Sequence, residues 1–271
     1  KMSDAMISYD FKDSVVLVTA ASKGIGFAIA NSFCRTGARV AICSRDKSLL
    51  DKAVRDIKEN SEGEIVGFQC DLSNMNECIN LVDKVEKHYG LTVDILVNNS
   101  GGPPPKRINE INLDDWGNAI NQNLLSSITI TNAVMPGMIN KKFGRIIFLT
   151  STLSKEPSEN MALSNVTRAG LAAFSKTLSR ELPLKSGITV NTILTGGCKT
   201  ERFYSLVKKQ IGTSNESITD AVDRLSKTVP VGYFPTPDEF SKTILFLSSN
   251  EASYINGVAL PIDGGSLKGV F

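Results

Sequence analysis

The stretch Thr19-Ala20-Ala21-Ser22-Lys23-Gly24-Ile25-Gly26 stands between a short apolar run at residues 15–19 and an amphipathic segment at residues 26–36. Its two glycines allow a tight turn whose backbone can approach a bound group closely. The start of the following helix offers free N–H groups and the positive end of its dipole to a pyrophosphate. This order predicts the first strand-turn-helix unit of a dinucleotide-binding fold.

The rest of the chain repeats this alternation of short apolar runs and amphipathic segments. The runs show little in/out alternation, which is typical of parallel strands covered by helices on both faces. The predicted strands are residues 15–19, 40–43, 65–69, 95–98, 145–150, 189–194 and 258–262. The predicted helices are residues 26–36, 49–59, 75–88, 113–140, 162–183 and 238–248. The sequence therefore predicts a Rossmann-type α/β fold, with a doubly wound, seven-stranded parallel sheet and helices on both faces.

Size and composition indicate an ordinary globular chain of 271 residues with 41% hydrophobic and 21% charged content. We expect one domain over residues 1–271, because α/β chains of this length often form a single core. The net charge of +2 gives no strong attraction to nucleic acid or to a membrane. No apolar run reaches the roughly eighteen residues that span a bilayer, and no secretory signal is visible at the start.

The cysteine and histidine content indicates a reducing compartment and no metal site. Five cysteines form no Cys-x-x-Cys pair and lie mostly in apolar runs, so we expect buried, reduced thiols in a cytoplasmic protein. His88 is the only histidine of the chain. A single histidine without a cysteine cluster cannot supply the usual zinc ligands, so we expect no metal.

Two insertions follow predicted strand ends. Residues 101–108 carry three consecutive prolines, and residues 196–230 are long, polar and partly helical. Ligands bind outside the carboxyl ends of strands in open α/β sheets, and a long loop in a compact domain is usually functional. We expect residues 196–230 to form a lid over a substrate.

Several motifs make the chain resemble the short-chain dehydrogenase/reductase superfamily, and within it the 3-oxoacyl-acyl-carrier-protein reductase branch. The family's Thr-Gly-x-x-x-Gly-x-Gly matches residues 19–26, with Ala20 at the first glycine, a change that is tolerated if Ala20 keeps a negative φ. Its Asn-Asn-Ala-Gly matches residues 98–101, and its Pro-Gly-x-x-x-Thr matches residues 195–200. Asp-Gly-Gly at 263–265 matches the usual ending, so the resemblance covers about residues 12–266.

The resemblance implies a cofactor site at these motifs. Its residues are Thr19, Ala21, Ser22, Lys23, Gly24, Ile25, Gly26, Ser44, Arg45, Asp71, Leu72, Asn99, Ser100, Gly101, Arg168, Thr195, Gly196, Cys198 and Thr200. Members selective for NAD usually place a carboxylate at the end of the second strand. Here Ser44 and Arg45 stand at that position, with Lys23 in the glycine turn, so NADPH is favoured over NADH.

The proton-transfer site departs from the family's pattern. By motif matching, Asn123 orders a water in a proton relay and Ser151 donates a hydrogen bond to the substrate oxygen, although Ser151 could also be a simple turn cap. Thirteen residues after Ser151, where the family carries Tyr-x-x-x-Lys, the chain has Ser164-Asn165-Val166-Thr167-Arg168. Ser164 is then a substrate hydrogen-bond donor, and Arg168 is a cofactor anchor that cannot itself pass a proton onward.

A proton could come from a water relayed by Asn123, or from Lys155, Glu156 or Tyr204 in the loops. The resemblance implies hydride transfer between NADPH and a carbonyl or alcohol, on a small or acyl-thioester substrate. Two alternatives stay open. One is a dinucleotide-binding protein with little or no turnover. The other is a reductase of conjugated C=C bonds, because 2,4-dienoyl-CoA reductases also carry Ser at the Tyr position but keep the Lys. Family members usually form homotetramers or dimers through helices corresponding to residues 113–140 and 162–183.

Overall fold

The computed structural model describes residues 9–61, 63–212 and 215–270. It contains one parallel sheet with the strand order β3-β2-β1-β4-β5-β6-β7. The strands are β1 (Val15–Val18), β2 (Arg39–Ser44), β3 (Glu64–Gln69), β4 (Ile95–Asn98), β5 (Gly144–Leu149), β6 (Ile188–Thr195) and β7 (Ala259–Ile262). All neighbouring strands pair in parallel, which confirms the predicted seven-stranded doubly wound sheet.

Helices connect the strands and cover both faces of the sheet. They are α1 (Gly24–Arg35), α2 (Lys47–Lys58), α3 (Met75–Tyr89), α4 (Leu113–Ile120), α5 (Ser126–Lys141), α6 (Ala162–Glu181), α7 (Glu201–Ile211), α8 (Ile218–Ser226) and α9 (Pro237–Ser248). In the described part of the chain, no helix is both long and apolar enough to cross a membrane.

Strand β1 shows why apolar runs without alternation form this sheet. Val16 and Val18 pack into a cluster with helix residues such as Phe33 and Phe240. Val15 and Leu17 pack into a second cluster, on the opposite face, with residues from α3 and α5. Successive side chains of a strand point to opposite faces, so a strand buried on both sides must be apolar at every position.

The predicted helix at residues 113–140 is wrong in one respect, because it is interrupted. A π-helical turn at Asn121–Leu125 separates α4 from α5. A wider turn of this kind inserts one extra residue and is frequent at functional sites. It places Asn123, which is 1% exposed, toward the strand ends rather than the solvent.

The sheet order reverses between β1 and β4, since β2 and β3 lie on one side of β1 and β5 to β7 lie beyond β4. Loops at this switch point diverge and leave a crevice at the carboxyl ends of the strands. The two predicted insertions follow β4 and β6 at the same edge. Residues 196–230 contain α7 and α8, and Lys106 of the first insertion forms an isolated bridge with Met161.

Candidate active site

The glycine turn after β1 has the geometry that a close approach to a ligand requires. Gly24 has φ +63°, a conformation that residues with a Cβ rarely adopt. A Cβ on Gly26 would lie 2.7 Å from Asn99 Nδ2 and 2.9 Å from the Ala20 carbonyl oxygen, so no side chain fits there. Helix α1 begins at Gly24, and its first N–H groups therefore face the crevice.

The condition under which an alanine is tolerated at position 20, a negative φ, is not met, because the φ of Ala20 is +47°. Asn99 Nδ2 donates to the Ala20 carbonyl oxygen at 3.0 Å and to the Thr19 carbonyl oxygen at 3.2 Å. These bonds hold the turn in its left-handed conformation although the residue carries a Cβ. Left-handed backbone costs an alanine about 1–2 kcal/mol.

Thr19 and Asn99 clamp the ends of β1 and β4 together. Thr19 Oγ1 donates to the Asn99 carbonyl oxygen at 2.6 Å and accepts from the Asn99 N–H at 2.8 Å. Thr19 and Ala21 are buried. Their contribution to a cofactor site is therefore to shape the turn from behind.

A cavity of about 610 Å³ opens at the switch point, a size that suits a cofactor or a small ligand. Thr19, Ala21, Gly26 and Asn123 lie behind its wall. The other predicted site residues share this wall: Ser22, Lys23, Gly24, Ile25, Ser44, Arg45, Asp71, Leu72, Asn99, Ser100, Gly101, Ser151, Ser164, Arg168, Thr195, Gly196, Cys198 and Thr200.

The end of β2 forms one side of the cavity. Ser22 Oγ donates to Ser44 Oγ at 3.0 Å, which ties the glycine turn to this strand end. Asp46 caps α2 by accepting from the Leu49 N–H, so its carboxylate is engaged there. Arg45 is exposed at the rim of the cavity. Among the described residues, the guanidinium of Arg45 is the only charged group at this strand end that has no hydrogen bond or ion pair within the protein.

Asp71 after β3, and the thiols of Cys43 in β2 and Cys70 after β3, interact with neighbouring protein groups. Asp71 Oδ1 accepts from the N–H and the hydroxyl of Ser73 at 2.9 and 2.8 Å. Cys43 and Cys70 line the cavity beside it. A hydrogen bond with Cys70, followed by burial, raises the pKa of Cys43 above its ordinary value, so this thiol stays protonated at neutral pH.

Thr200 and helix α7 cover the other side of the cavity. Thr200 caps α7 by accepting from the Phe203 N–H, and its Cγ2 lies 3.5 Å from the position that a Cβ on Gly24 would occupy. Gly196 and Gly197 permit this close packing. A Cβ on Gly197 would lie 2.6 Å from the Phe234 ring, so the segment lies flat against that aromatic side chain.

Ser151 and Ser164 line one end of the cavity, called the catalytic end after the roles that the sequence predicts for these two residues. Ser151 follows β5 and caps a short 3-10 turn, accepting from the Leu153 N–H at 3.3 Å. Ser164 lies in the first turn of α6 and is 5% exposed. Ser151 therefore has the capping role that its sequence allowed, and its hydroxyl also lines the cavity.

Arg168 lies on α6, one turn after Ser164, and is 6% exposed. Its Nη1 donates to the Leu149 carbonyl oxygen at 2.8 Å and its Nη2 donates to the Ser100 carbonyl oxygen at 3.2 Å. Burial, and after it the positive charge of Arg202, lower the pKa of Arg168 to about 10. The guanidinium is therefore still charged at neutral pH.

Asn123 braces the turn after β4 from behind. Its Nδ2 donates to Ser100 Oγ at 2.8 Å and to the Gly101 carbonyl oxygen at 2.6 Å. Its Oδ1 is buried and has no hydrogen-bond partner among the described residues. Such an orphaned acceptor is usually satisfied by an ordered water.

The three loop residues expected as proton donors, Lys155, Glu156 and Tyr204, are not on the cavity wall. Glu156 Oε1 instead accepts from the backbone N–H groups of Lys268 and Gly269, which fixes the C-terminal segment. Sequence reasoning missed residues that the structure brings to the wall around Ser151 and Arg168. They are Gln122, Leu153, Met161, Arg202, Phe203 and Leu206.

Residues 14–211 match the family model described as short chain dehydrogenase. This chain belongs to the short-chain dehydrogenase family. This short-chain dehydrogenase is similar to curated relatives over nearly their whole length. It is 32% identical over 251 residues to an acetoacetyl-CoA reductase of Shinella zoogloeoides, covering 93% of this chain and 97% of the relative.

Solved structures of the family are similar over the same length. An L-sorbose reductase from Gluconobacter frateurii, complexed with NADPH and L-sorbose, matches with a TM-score of 0.92 and 28% identity, covering 97% of this chain and 100% of that one. An actinorhodin polyketide ketoreductase with NADPH matches with a TM-score of 0.88 and 31% identity, covering 95% and 99%. The short-chain dehydrogenase described here is thus an oxidoreductase by family, with its glycine turn at the expected place.

Proposed function

We propose that this short-chain dehydrogenase is an NADPH-dependent oxidoreductase that transfers a hydride between the nicotinamide and a carbonyl or alcohol substrate. One observation carries the proposal. A single cavity joins the glycine turn at the start of α1 to Ser151, Ser164 and Arg168 at its other end. When bound, NADPH supplies the hydride, so the protein has to supply binding, orientation and hydrogen-bond donors.

The residues present fit NADPH. The close approach at Gly26 leaves no room for a Cβ, which is the shape that a pyrophosphate against the backbone needs. Arg45 at the end of β2 suits the 2′-phosphate, because the neighbouring carboxylate of Asp46 is engaged in capping α2. The solved L-sorbose reductase and actinorhodin ketoreductase, both complexed with NADPH, support the same choice.

The catalytic roles follow from position. Ser151 and Ser164 donate hydrogen bonds to the substrate oxygen, where negative charge develops during hydride transfer. Arg168 anchors the cofactor from α6 while it ties the Leu149 and Ser100 carbonyl oxygens together. Ser164 and Arg168 would thus hold the places of the family's Tyr and Lys.

The proton has to come from water, since a serine hydroxyl is a weak acid without an adjacent base. The orphaned Oδ1 of Asn123 offers a binding point for such a water behind the Ser100–Gly101 turn. This position favours the relay through Asn123 over the loop residues Lys155, Glu156 and Tyr204.

Consumption of NADPH by the purified protein tests the proposal. The panel contains β-ketoacyl thioesters, simple ketones, sugars and conjugated enoyl thioesters. Ser151→Ala should lower kcat by about 100-fold or more, as loss of one oxyanion donor does in other enzymes. The matched control is Ser158→Ala, whose side chain is exposed away from the cavity wall.

The panel also separates the alternatives. NADPH binding without turnover of any substrate would leave a dinucleotide-binding protein whose catalytic site has been lost. Turnover confined to enoyl thioesters would make the protein a reductase of conjugated C=C bonds. Loss of activity in both Ser151→Ala and the control Ser158→Ala would point to damaged folding, which circular dichroism of the two variants would test.

We further propose that residues 1–271 act as a single domain with residues 196–230 as a substrate lid, in the cytoplasm. Five free, buried cysteines support the reducing compartment.

A homodimer or homotetramer would use α5 and α6, which expose Ile139 and Val166 to solvent. Light scattering coupled to size exclusion, with Val166→Glu as the variant, tests the assembly.

A further inference from the structure

Two arginine side chains at the catalytic end of the cavity have no acidic partner in the part of the chain that the structure describes. Arg168 on α6 donates to the Ser100 carbonyl oxygen, and Arg202 on α7 donates from Nη2 to the Pro103 carbonyl oxygen at 2.9 Å. The loop after β4 therefore lies between two guanidinium groups. Across residues 9–61, 63–212 and 215–270, no carboxylate lies within 4.0 Å of either one.

The carboxylates that share the cavity wall are engaged elsewhere. Asp46 accepts from the backbone N–H of Leu49, Asp71 accepts from Ser73, and Glu201 pairs with Lys23 at 2.9 Å. None of the three is placed to neutralise the arginine pair. The catalytic end of the cavity thus has an excess of positive charge in the protein alone.

Burial of a guanidinium without an acid does not by itself indicate a ligand, as Arg145 shows. Arg145 donates to the carbonyl oxygens of Gly144, Gly187 and Ser249, its guanidinium lies 4.5 Å from the centre of the Phe143 ring, and it is not on the cavity wall. Arg168 differs because it is on the wall and because two bonds leave part of its five N–H groups free.

Arg202 is also placed for a ligand rather than for packing alone. The missing Cβ of Gly102 would lie 2.6 Å from Arg202 Nη2 and 3.0 Å from its Cζ, so the guanidinium lies flat on the backbone of the loop after β4. One face of the group is covered in this way. Because Arg202 lines the cavity, its remaining donors are available there.

NADPH would not neutralise this pair. Its phosphates belong at the glycine turn and at Arg45, the far end of the cavity. At the catalytic end, NADPH presents a nicotinamide ring, neutral when reduced and positive when oxidised, and an uncharged ribose. Anchoring that ribose, the role proposed for Arg168 above, leaves its positive charge without a counter-charge. An anionic group on the substrate would supply a negative charge to the buried Arg168 and to Arg202, which is exposed to solvent.

We propose that Arg168 and Arg202 bind an anionic group, a carboxylate or a phosphate monoester, on a short carbonyl substrate. This inference rests on the proposed reductase function and narrows its substrate class. Ser164 lies one helical turn before Arg168 on the same face of α6, so the carbonyl and the anion are only a few bonds apart. Planar guanidinium groups match carboxylate and phosphate oxygens in pairs, which gives the site its selectivity.

The test compares matched substrates that differ only in charge. NADPH consumption is followed with acetoacetate against methyl acetoacetate, with 2-oxobutanoate against its methyl ester, and with dihydroxyacetone phosphate against dihydroxyacetone. We expect kcat/KM for at least one charged member to exceed that of its neutral partner by about 10-fold or more. Whether the acids or the phosphate respond identifies the source of the anion.

Substitutions test whether the preference for charged substrates depends on the Arg168–Arg202 pair. Arg202→Gln should abolish the preference for the charged member while the Kd for NADPH, from its fluorescence, changes by less than about 2-fold. Arg202→Lys should keep part of the preference, because it keeps the charge without the planar fork. Arg107→Gln, which changes an exposed arginine of the insertion after β4 that is not on the cavity wall, should behave like the wild type.

A binding measurement covers the case in which no compound of the panel is reduced. Malonate and malonamide are titrated into the NADPH-saturated protein, and stabilisation against heat is recorded. Equal effects of charged and neutral compounds in both measurements would overturn the anion site and leave the reductase proposal standing. A large loss of NADPH affinity in Arg202→Gln would also overturn it, by assigning Arg202 to the cofactor. Failure of the wild type to bind NADPH would refute the proposed function itself.

Discussion

Lys23 Nζ lies 2.9 Å from Glu201 Oε2, so an ion pair joins the glycine turn after β1 to the first residue of α7. Both residues line the cavity, so the pair links the turn to the segment that we propose as a lid. Both side chains are largely exposed, at 60% and 78%, and such pairs contribute little to stability. Its effect is to hold a lysine, expected at the 2′-phosphate, against a carboxylate.

Glu201→Gln should therefore strengthen NADPH binding by about 3-fold, because it releases Lys23 and removes a negative charge near the cofactor phosphates. The Kd from NADPH fluorescence at low salt measures this. Glu216→Gln, which breaks an exposed pair with Arg224, should leave the Kd unchanged. Weaker binding in Glu201→Gln would instead mean that the ion pair closes over the bound cofactor.

Ala20→Gly should stabilise the protein by about 0.5–1 kcal/mol, because it relieves an alanine at φ +47°. The gain is smaller than the whole left-handed penalty, since glycine loses more backbone entropy on folding. A urea melt monitored by circular dichroism gives the free energy of unfolding. The control Ala21→Gly, at a buried neighbour without a positive φ, should destabilise. Equal effects of the two substitutions would contradict the strain at Ala20.

Gly26→Ala should raise the Kd for NADPH by about 10-fold or more, because the added methyl group would overlap Asn99 Nδ2 and the Ala20 carbonyl oxygen. The clamp that shapes the turn would have to shift. Gly117→Ala in α4 is the matched control, since nothing lies within 4 Å of its Cβ position. It should stabilise the helix by about 1 kcal/mol and leave the Kd unchanged. Unaltered cofactor binding in Gly26→Ala would show that the turn has room that its geometry denies.

The preference for anionic substrates should be constant between pH 6 and 9 and decline as the pH rises through about 10. The preference declines at high pH because Arg168 loses its charge there. Burial lowers the pKa of Arg168 to about 10, so the guanidinium is charged below that pH and loses its charge above it. The same shift means that folding opposes this charge. The cost in folding free energy falls only as the pH rises from about 10 toward the ordinary pKa of a guanidinium.

The ratio of kcat/KM for acetoacetate to that for its methyl ester, recorded across this range, measures the effect. The Arg168→Met variant serves as the reference, because its ratio should be low and flat. A decline of the wild-type ratio near neutral pH would assign the anion site to a group other than Arg168.

The sheet and the cofactor motifs could be predicted from the sequence because they rest on local patterns. A strand buried on both faces has to be apolar throughout, as Val15–Val18 is, and the turn after it has to carry glycine where the backbone approaches a ligand. Ser151, Ser164 and Arg168 were placed at one cavity by their spacing after β5 and along α6. Each of these inferences uses residues that are close in the chain.

The rest depended on contacts between distant segments. The positive φ of Ala20 arises from the amide of Asn99, which lies 79 residues away. Arg202 reaches the cavity because α7 folds back over the loop after β4, and the sequence of a lid does not encode that direction. Glu156 was expected near the substrate, but the backbone of the C-terminal segment binds its carboxylate.

The π-helical turn at Asn121–Leu125 links the register of the hydrophobic core to that of the active site. One extra residue in a turn rotates everything after it by about 100° relative to a continuous helix. Ile130, Val134 and Met138 face the core from α5 with that rotation included, while Asn123 faces the strand ends. Deleting one residue from the turn would make the helix regular and swing the apolar face of α5 away from the sheet. A chain that lost Asn123 by such a deletion would therefore lose its fold as well. The π-helical turn can thus change by substitution of its residues but hardly by a change of its length.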